Sequence, residues 1–259
     1  MIARFGRSQI GDRPSGAAAS RRADETALVE ANSERVDRVG PDTTLTKSFA
    51  LSEAPTISVK NTRGAINITV WDKPEAEVKV TRRGSDGDRN FAPVYFNNER
   101  GDLAVRTDDR RGASDVRLEL KLPREVAGLL INSVTGAITL SDIEGEITVQ
   151  NVSGDTDLTN VAGLRRAGSV NGNISIVLKE WRDEPLDLKA VSGDISLQIK
   201  SAVDADLEAS SVSGNVSLDD SFGITVERQL GRQRARGKIG NGGETLRITT
   251  VSGNIKVNR

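Results

Sequence analysis

Two short acidic motifs could do chemistry. GDTDL (154–158) and DGDRN (86–90) each place carboxylates two residues apart. That spacing suits a calcium loop, and calcium-binding glycine-rich nonapeptides also recur every nine residues. Such loops need G-G-x-G-x-D in successive turns, and here only GDTD comes close. An EF-hand would need the D-x-[DN]-x-[DN]-G spacing together with a Glu at the twelfth position, and that combination is absent. Both motifs therefore read as solvated turns, and no metal or cofactor is expected. The densest basic stretch is RQLGRQRARGKIGNGG (228–243), with Arg228, Arg232, Arg234, Arg236 and Lys238. It lacks the G-x-x-x-x-G-K-[ST] spacing of a phosphate loop and the interleaved aromatics on which single strands stack. It reads as a long solvated loop between repeats. Carboxylates are plentiful, and a glycosidase needs only two at a set separation. They are scattered over outward positions, and sugar platforms would have to come from Trp71, Trp181, Tyr95 and five Phe. Trp181 in KEWRDEP (179–185) is the one exposed-looking aromatic, and its expected role is to pack a loop tip onto the body.

The strongest exclusion is compositional. The 259 residues contain no cysteine and no histidine. Disulfides, thiolate nucleophiles, Cys/His zinc sites and histidine-based triads are all removed. The 36 Lys and Arg nearly cancel 37 Asp and Glu, leaving a net charge of −1. No global field draws the chain to nucleic acid or to an anionic membrane, so nucleic acid is not an expected partner. No stretch approaches the roughly 20 apolar residues of a membrane helix. The opening MIARFGRSQIGDRPSGAAASRRADE has no apolar run of export-signal length. Read as written, it suggests a cytoplasmic protein, or a start downstream of the real export signal.

The elements that would position any site are strands. Residues 1–44 are poor in large apolar side chains and read as a flexible tail or linker, with a short helix drafted over 23–39. From 45 to 259 the pattern has period two: Ile57 and Val59, then Ile66, Ile68 and Val70, then Val116, Leu118, Leu120 and Leu122. This is strand after strand with one apolar face. In the middle, glycines fall at 136, 145, 154, 163 and 172, nine residues apart. The unit reads G-x-I-x-L-x-x-V-x, with Ile143, Val152, Val161 and Val170 expected to point inward from the last apolar position. Arg165 and Arg166 break the alternation and predict a local bulge or loop. Beyond Gly172 the glycine spacing widens to 21 (172, 193, 214) and then to 39 (214, 253).

A nine-residue unit cannot bury its few apolar residues alone, but stacked units can. Two units make one coil. About ten coils at about 4.8 Å each would stack. Glycine suits the corners, and Asn151, Asn160, Asn171, Asn173, Asn215 and Asn254 are candidates for stacked polar ladders. The fold class is all-β, a β-solenoid of right-handed β-helix type. The competing sandwich or barrel is disfavoured by the fixed period.

At these residues the chain resembles the bacterial putative-adhesin family, β-strand-repeat domains of unknown function related to adhesin head GIN domains. The resemblance covers about 44–259. It is carried by KSFALSEAPTISVKNTRGAINITVWDKPEAEVKV (47–80), by LKLPREV (120–126), by the repeated S-V-[ST]-G-x-I, and by GKIGNGGETLRITTVSGNIKV (237–257). It implies a β-helix-like fold and a place outside the cytoplasmic membrane, in the cell envelope. It brings no catalytic residues. The expected function is a noncatalytic adhesin-like or envelope scaffold that contacts other proteins or surface glycans. Two alternatives stand beside it: a polysaccharide-processing β-helix enzyme, and an envelope sensory or regulatory ligand platform.

Overall fold

The computed structural model describes residues 34–36, 43–83, 92–108, 115–229 and 231–259. DGDRN (86–90) lies outside them, as do 1–33 and 37–42 of the stretch read as a tail. Within that stretch, Glu34–Val36 forms a strand, β1, instead of helix. The strand β2 (Thr43–Ala50) follows, and then β3 (Thr56–Arg63), β4 (Ile66–Val70), β5 (Glu75–Arg83), β6 (Val94–Glu99), β7 (Asp102–Thr107) and β8 (Asp115–Leu122). The middle of the chain supplies β9 (Glu125–Thr135), β10 (Ile138–Ser141), β11 (Glu144–Ser153), β12 (Thr156–Asn171), β13 (Ile174–Glu180), β14 (Leu186–Ser192) and β15 (Ile195–Ile199). The last strands are β16 (Ala205–Ser213), β17 (Val216–Leu218), β18 (Val226–Gln229), β19 (Arg232–Ile239), β20 (Thr245–Ser252) and β21 (Ile255–Asn258).

The strands pair in parallel, in register, as a solenoid. Each coil is an arch with one strand on each of two faces, and in the seven arches from β3/β4 to β16/β17 the two are joined across a glycine corner. Eight arches stack in the order β7/β8, β3/β4, β9/β10, β11 with residues 156–159, residues 164–171 with β13, β14/β15, β20/β21 and β16/β17. The repeat length alone suggests about ten. The difference lies at the ends, where the chain builds antiparallel cover instead of coils. One end carries β2 on β5 on β8, and β1 on β6 on β7. The other carries β19 on β16 and β18 on β19. Such cover closes edges that would otherwise template aggregation.

The core lies between the two faces. Ile57 and Val59 meet Ile66 and Ile68 at one end, and Leu246 and Ile248 meet Ile255 and Val257 near the other; all are fully buried. The alternation in the sequence thus maps directly onto the two sides of each strand.

The glycine repeat has a more specific meaning than one corner per unit. Gly136, Gly154 and Gly172 stack in one column, while Gly145 and Gly163 stack in another on the opposite corner. Nine residues are therefore half a coil. At Gly172 (φ +149°) a Cβ would sit 2.1 Å from the carbonyl oxygen of Gly154, and at Gly193 (φ +151°) one would sit 2.1 Å from that of Gly172. No side chain fits. The backbone there is also in the region that L-residues avoid. The expected bulge is present. Ile147 pairs with Leu164 and Thr148 with Arg166, so Arg165 is the extra residue and Leu164 takes the inward place.

Stack order departs from chain order at both ends. The first arch, β3/β4, lies inside β7/β8. The last, β20/β21, lies between β14/β15 and β16/β17. The widest glycine gap, 214 to 253, is the excursion through β18 and β19 before the chain returns to fill that slot. Deleting residues 244–259 therefore removes an internal layer. We expect loss of the cooperative thermal transition by circular dichroism, where a sequential stack would lose only one end coil and keep most of its stability.

Candidate functional site

The repeated V-[ST]-G phrase shows where a working surface lies. Along β9, β11, β12, β14, β20 and β16 the alternation runs inward to the residue before the valine. That place holds Ser133, Asn151, Ser169, Ala190, Thr250 and Ser211, all buried, with Asn61 continuing the row on β3. Four of these seven side chains bond corner carbonyls, Thr250 Oγ1 among them with Gly193 O (3.2 Å), and Ser133, Ser169 and Ala190 are small enough to fit beside them. Asn61 Nδ2 donates to Gly64 O (2.9 Å) and Val116 O (2.8 Å). Asn151 Nδ2 donates to Gly136 O (3.0 Å) and Gly154 O (2.9 Å). Ser211 Oγ donates to Gly253 O (2.8 Å). A buried carbonyl without a partner is costly, so this row is fixed by the corner.

The valine that follows must then point outward. Val134, Val152, Val170, Val191, Val251 and Val212 are each 40–48% exposed and stand one per arch, in line. This corrects the inward placement of Val152 and Val170 read from the repeat. Ile143 and Val161, at the same place in the nine-residue unit, are fully buried because they belong to the other corner. The two half-coils share a sequence phrase but differ in which residue faces the core.

Beside this ridge runs an open groove of about 460 Å³, bordered by Lys60, Arg106, Asn132, Gln150 and Val134, Val152 and Val170. The guanidinium of Arg106 lies 4.9 Å from the ring centre of Tyr95, a cation–π contact that orients it.

On the glycine side of the ridge, a polar ladder climbs the corner. Asp155 Oδ1 accepts from Asn173 N–H (2.8 Å), Asn173 Oδ1 from Asp194 N–H (3.0 Å), Asp194 Oδ1 from Asn254 N–H (2.7 Å) and Asn254 Oδ1 from Asn215 N–H (3.0 Å). Gln233 of β19 closes the ladder, donating to Asn215 Oδ1 (2.8 Å) and accepting from Val216 N–H (2.8 Å). Asn173, Asn215 and Asn254 thus form the ladder expected of them, joined by two aspartates. Asn151 serves the inner corner instead, and Asn160 donates to Asp142 Oδ1 (2.5 Å). In GDTDL, Asp155 is committed to this ladder and Asp157 is exposed on the sheet, so the two carboxylates do not converge.

The basic stretch 228–243 is not a loop. It forms most of the β18–β19 hairpin, with Gln233, Ala235 and Ile239 buried and Arg232, Arg234, Arg236 and Lys238 exposed. R-Q-R-A-R-G-K-I alternates with period two, a strand signal that its charge density masks. Glu208 on β16 pairs with Arg236 and with Arg247 (3.0 Å). The bond from Arg247, then the field of Arg236, holds the Glu208 carboxyl below its usual range.

A cluster of ion pairs sits at the opposite corner, around KEWRDEP. Glu144 binds Lys179 (2.6 Å) and Arg182 (2.9 Å), Arg182 also binds Glu180 (2.6 Å), and Arg165 binds Glu184 (2.9 Å). The hydrogen bond from Lys179 lowers the Glu144 carboxyl below its usual range, with Arg182 and Arg124 adding to it. Trp181 packs against the core as expected of a loop tip. The adjoining cavity holds about 10 Å³, room for one water and not for a sugar. These are structural ion pairs.

Two outcomes test these assignments. Val191→Thr should change stability by no more than about 0.5 kcal/mol, while Ile195→Ala should cost about 2–5 kcal/mol, both read by denaturant unfolding. Because the Glu144 carboxyl is depressed in the folded state, its contribution is present above the unfolded pKa and is lost as pH falls through the folded one. Glu144→Gln should therefore be less stable than the parent at pH 7, by about 1 kcal/mol for a half-buried carboxylate whose cations face solvent, and the gap should close on acidification.

With the geometry in hand, the chain can be set beside known proteins. No curated protein matches it. Among solved structures it is similar to a putative cell adhesion protein from Clostridium sporogenes (10% identity, TM-score 0.44, 84% of this chain and 99% of that one). It is also similar to a putative adhesin from Bacteroides fragilis (13% identity, TM-score 0.40, 84% and 97%). The Toastrack DUF4097 pattern matches residues 41–258, nearly the whole body described above, and the chain belongs to that family.

Proposed function

We propose that this domain is a noncatalytic, adhesin-like docking scaffold of the cell envelope, which offers its valine ridge to a partner at the surface. The observation that carries this reading is the ridge itself: six exposed valines in register on a rigid stack. Exposed apolar side chains scattered singly need no explanation, but a contiguous line of them marks an interaction site. The adhesion names of the similar structures and the family membership point the same way. Aliphatic side chains favour a protein partner over a glycan, because sugar rings pack on flat aromatic faces and the ridge has none.

The test combines location and binding. Native cells are fractionated and shaved with protease, and the purified domain is applied to intact cells beside the V152T/V191T/V251T variant. The reading requires an envelope-associated, protease-accessible protein. It also requires a loss of cell binding of about tenfold or more in the variant with its thermal midpoint retained. A protein confined to the cytoplasm would overturn it, as would hydrolysis of surface glycans abolished by one carboxylate substitution.

A further inference from the structure

The ridge is flanked asymmetrically. On its strand side, the next outward position of each successive strand forms one column, running from β7 through the stack to β19. That column contains four exposed cations, Arg106, Lys60, Lys189 and Arg234, and no carboxylate, although Lys189 is bound by Asp187 of the next outward column (2.6 Å). On its glycine side the row beside the six valines is Ser, Thr and Asn, with the exposed Arg63 continuing it on β3. The surface is thus an apolar line with a positive border along one side, on a chain whose overall charge is −1.

We propose that this surface seats an amphipathic α-helix of a partner protein, with its apolar stripe on the valines and carboxylates along the side that faces Lys60 and Lys189. The proposal rests on the docking reading above. Spacing selects the helix. Valines repeat at the coil spacing of about 4.8 Å, and a helix lying along the stack repeats its apolar stripe about every 5.4 Å. The mismatch is about 0.6 Å per step and about 3 Å over five steps, so a straight helix keeps two or three consecutive valines in step and must curve or shift to meet all six. An extended strand laid the same way presents alternate side chains about every 6.8 Å and falls out of step at the second valine. The five steps from Val134 to Val212 cover about 24 Å, or about 16 helical residues. The column from Lys60 to Arg234 is longer, about 34 Å, or about 22 residues. Apolar anchors in a groove with charges at the rim are the usual terms of helix recognition, and the charged border sets orientation and partner choice more than affinity. The groove beside Val134, Val152 and Val170 gives larger aliphatic side chains a place to insert. A membrane surface fits less well, because interfacial anchoring relies on Trp, Phe or Leu beside the cations, and the ridge is valine throughout.

The test uses designed helical peptides of about 22 residues with a leucine stripe. One has glutamates along one flank, one has lysines there, and one has the glutamate composition with the stripe scrambled. Binding is followed by fluorescence anisotropy, alongside sedimentation onto phosphatidylglycerol vesicles and analytical ultracentrifugation of the domain alone. The glutamate peptide should bind at least about tenfold tighter than either control. V152T/V191T/V251T should lose at least about tenfold, and K60E/K189E should turn the preference toward the lysine peptide. Equal binding of the three peptides overturns the proposal. So does vesicle binding that V152T/V191T/V251T abolishes while the glutamate peptide stays free, or a dimer that those substitutions dissolve. If the glutamate peptide fails but the valine substitutions still abolish cell binding, the helix is wrong and the docking reading stands. If both fail, both readings fall.

Discussion

The structure depends on how closely one corner can lie on the next. Successive arches hydrogen-bond through the corner itself: Gly154 N donates to Asn171 O, Gly172 N to Ser192 O and Gly193 N to Ser252 O, at 2.9–3.0 Å. At that separation the space where a Cβ would stand is occupied by the carbonyl of the glycine below. One residue type is therefore imposed on the seven layers from β3/β4 to β16/β17. The neighbours follow from it. The inner residue of the corner must be small, or polar enough to bond those carbonyls as Asn61, Asn151, Ser211 and Thr250 do, and the next residue faces water.

That chain of consequences explains an otherwise odd choice. Valine at an exposed strand position is favourable for the backbone, since β-branched side chains suit a pleated surface. Backbone preference alone would accept threonine equally well, and threonine does stand at the equivalent place on β3, as Thr62. Six valines in succession on the arches from β9/β10 to β16/β17 make a surface property, not a local one.

The ends obey a different constraint. An open parallel stack exposes unpaired backbone at each terminus. This chain covers both with antiparallel strands, and each cover is reached by an excursion from which the chain returns inside the stack. The first and last arches in sequence are consequently interior layers. The charges of β19 serve this arrangement: Arg232, Arg234, Arg236 and Lys238 face solvent while Ala235 and Ile239 close the core.

Much of this was legible beforehand. Alternation of Ile, Leu and Val with polar residues determined the strands and the inward face of most of them. The glycine period determined stacking, and the break at Arg165 determined a bulge. The missing histidine and cysteine removed whole reaction classes. What the sequence could not decide was anything that depends on which layer touches which. The nine-residue phrase is the same at both corners, so only stacking distinguishes the buried Val161 from the exposed Val152. The slot taken by β20 and β21 lies between layers that precede them in the chain, and no local pattern encodes a neighbour 39 or 60 residues away. The basic hairpin reads as a loop for a related reason: charge dominates a linear reading, whereas hydrogen bonding to β16 and burial of alternate residues decide the strand. The ridge and its cationic border arise only when six separate copies of one phrase are brought into register, because a surface is a property of neighbours in space.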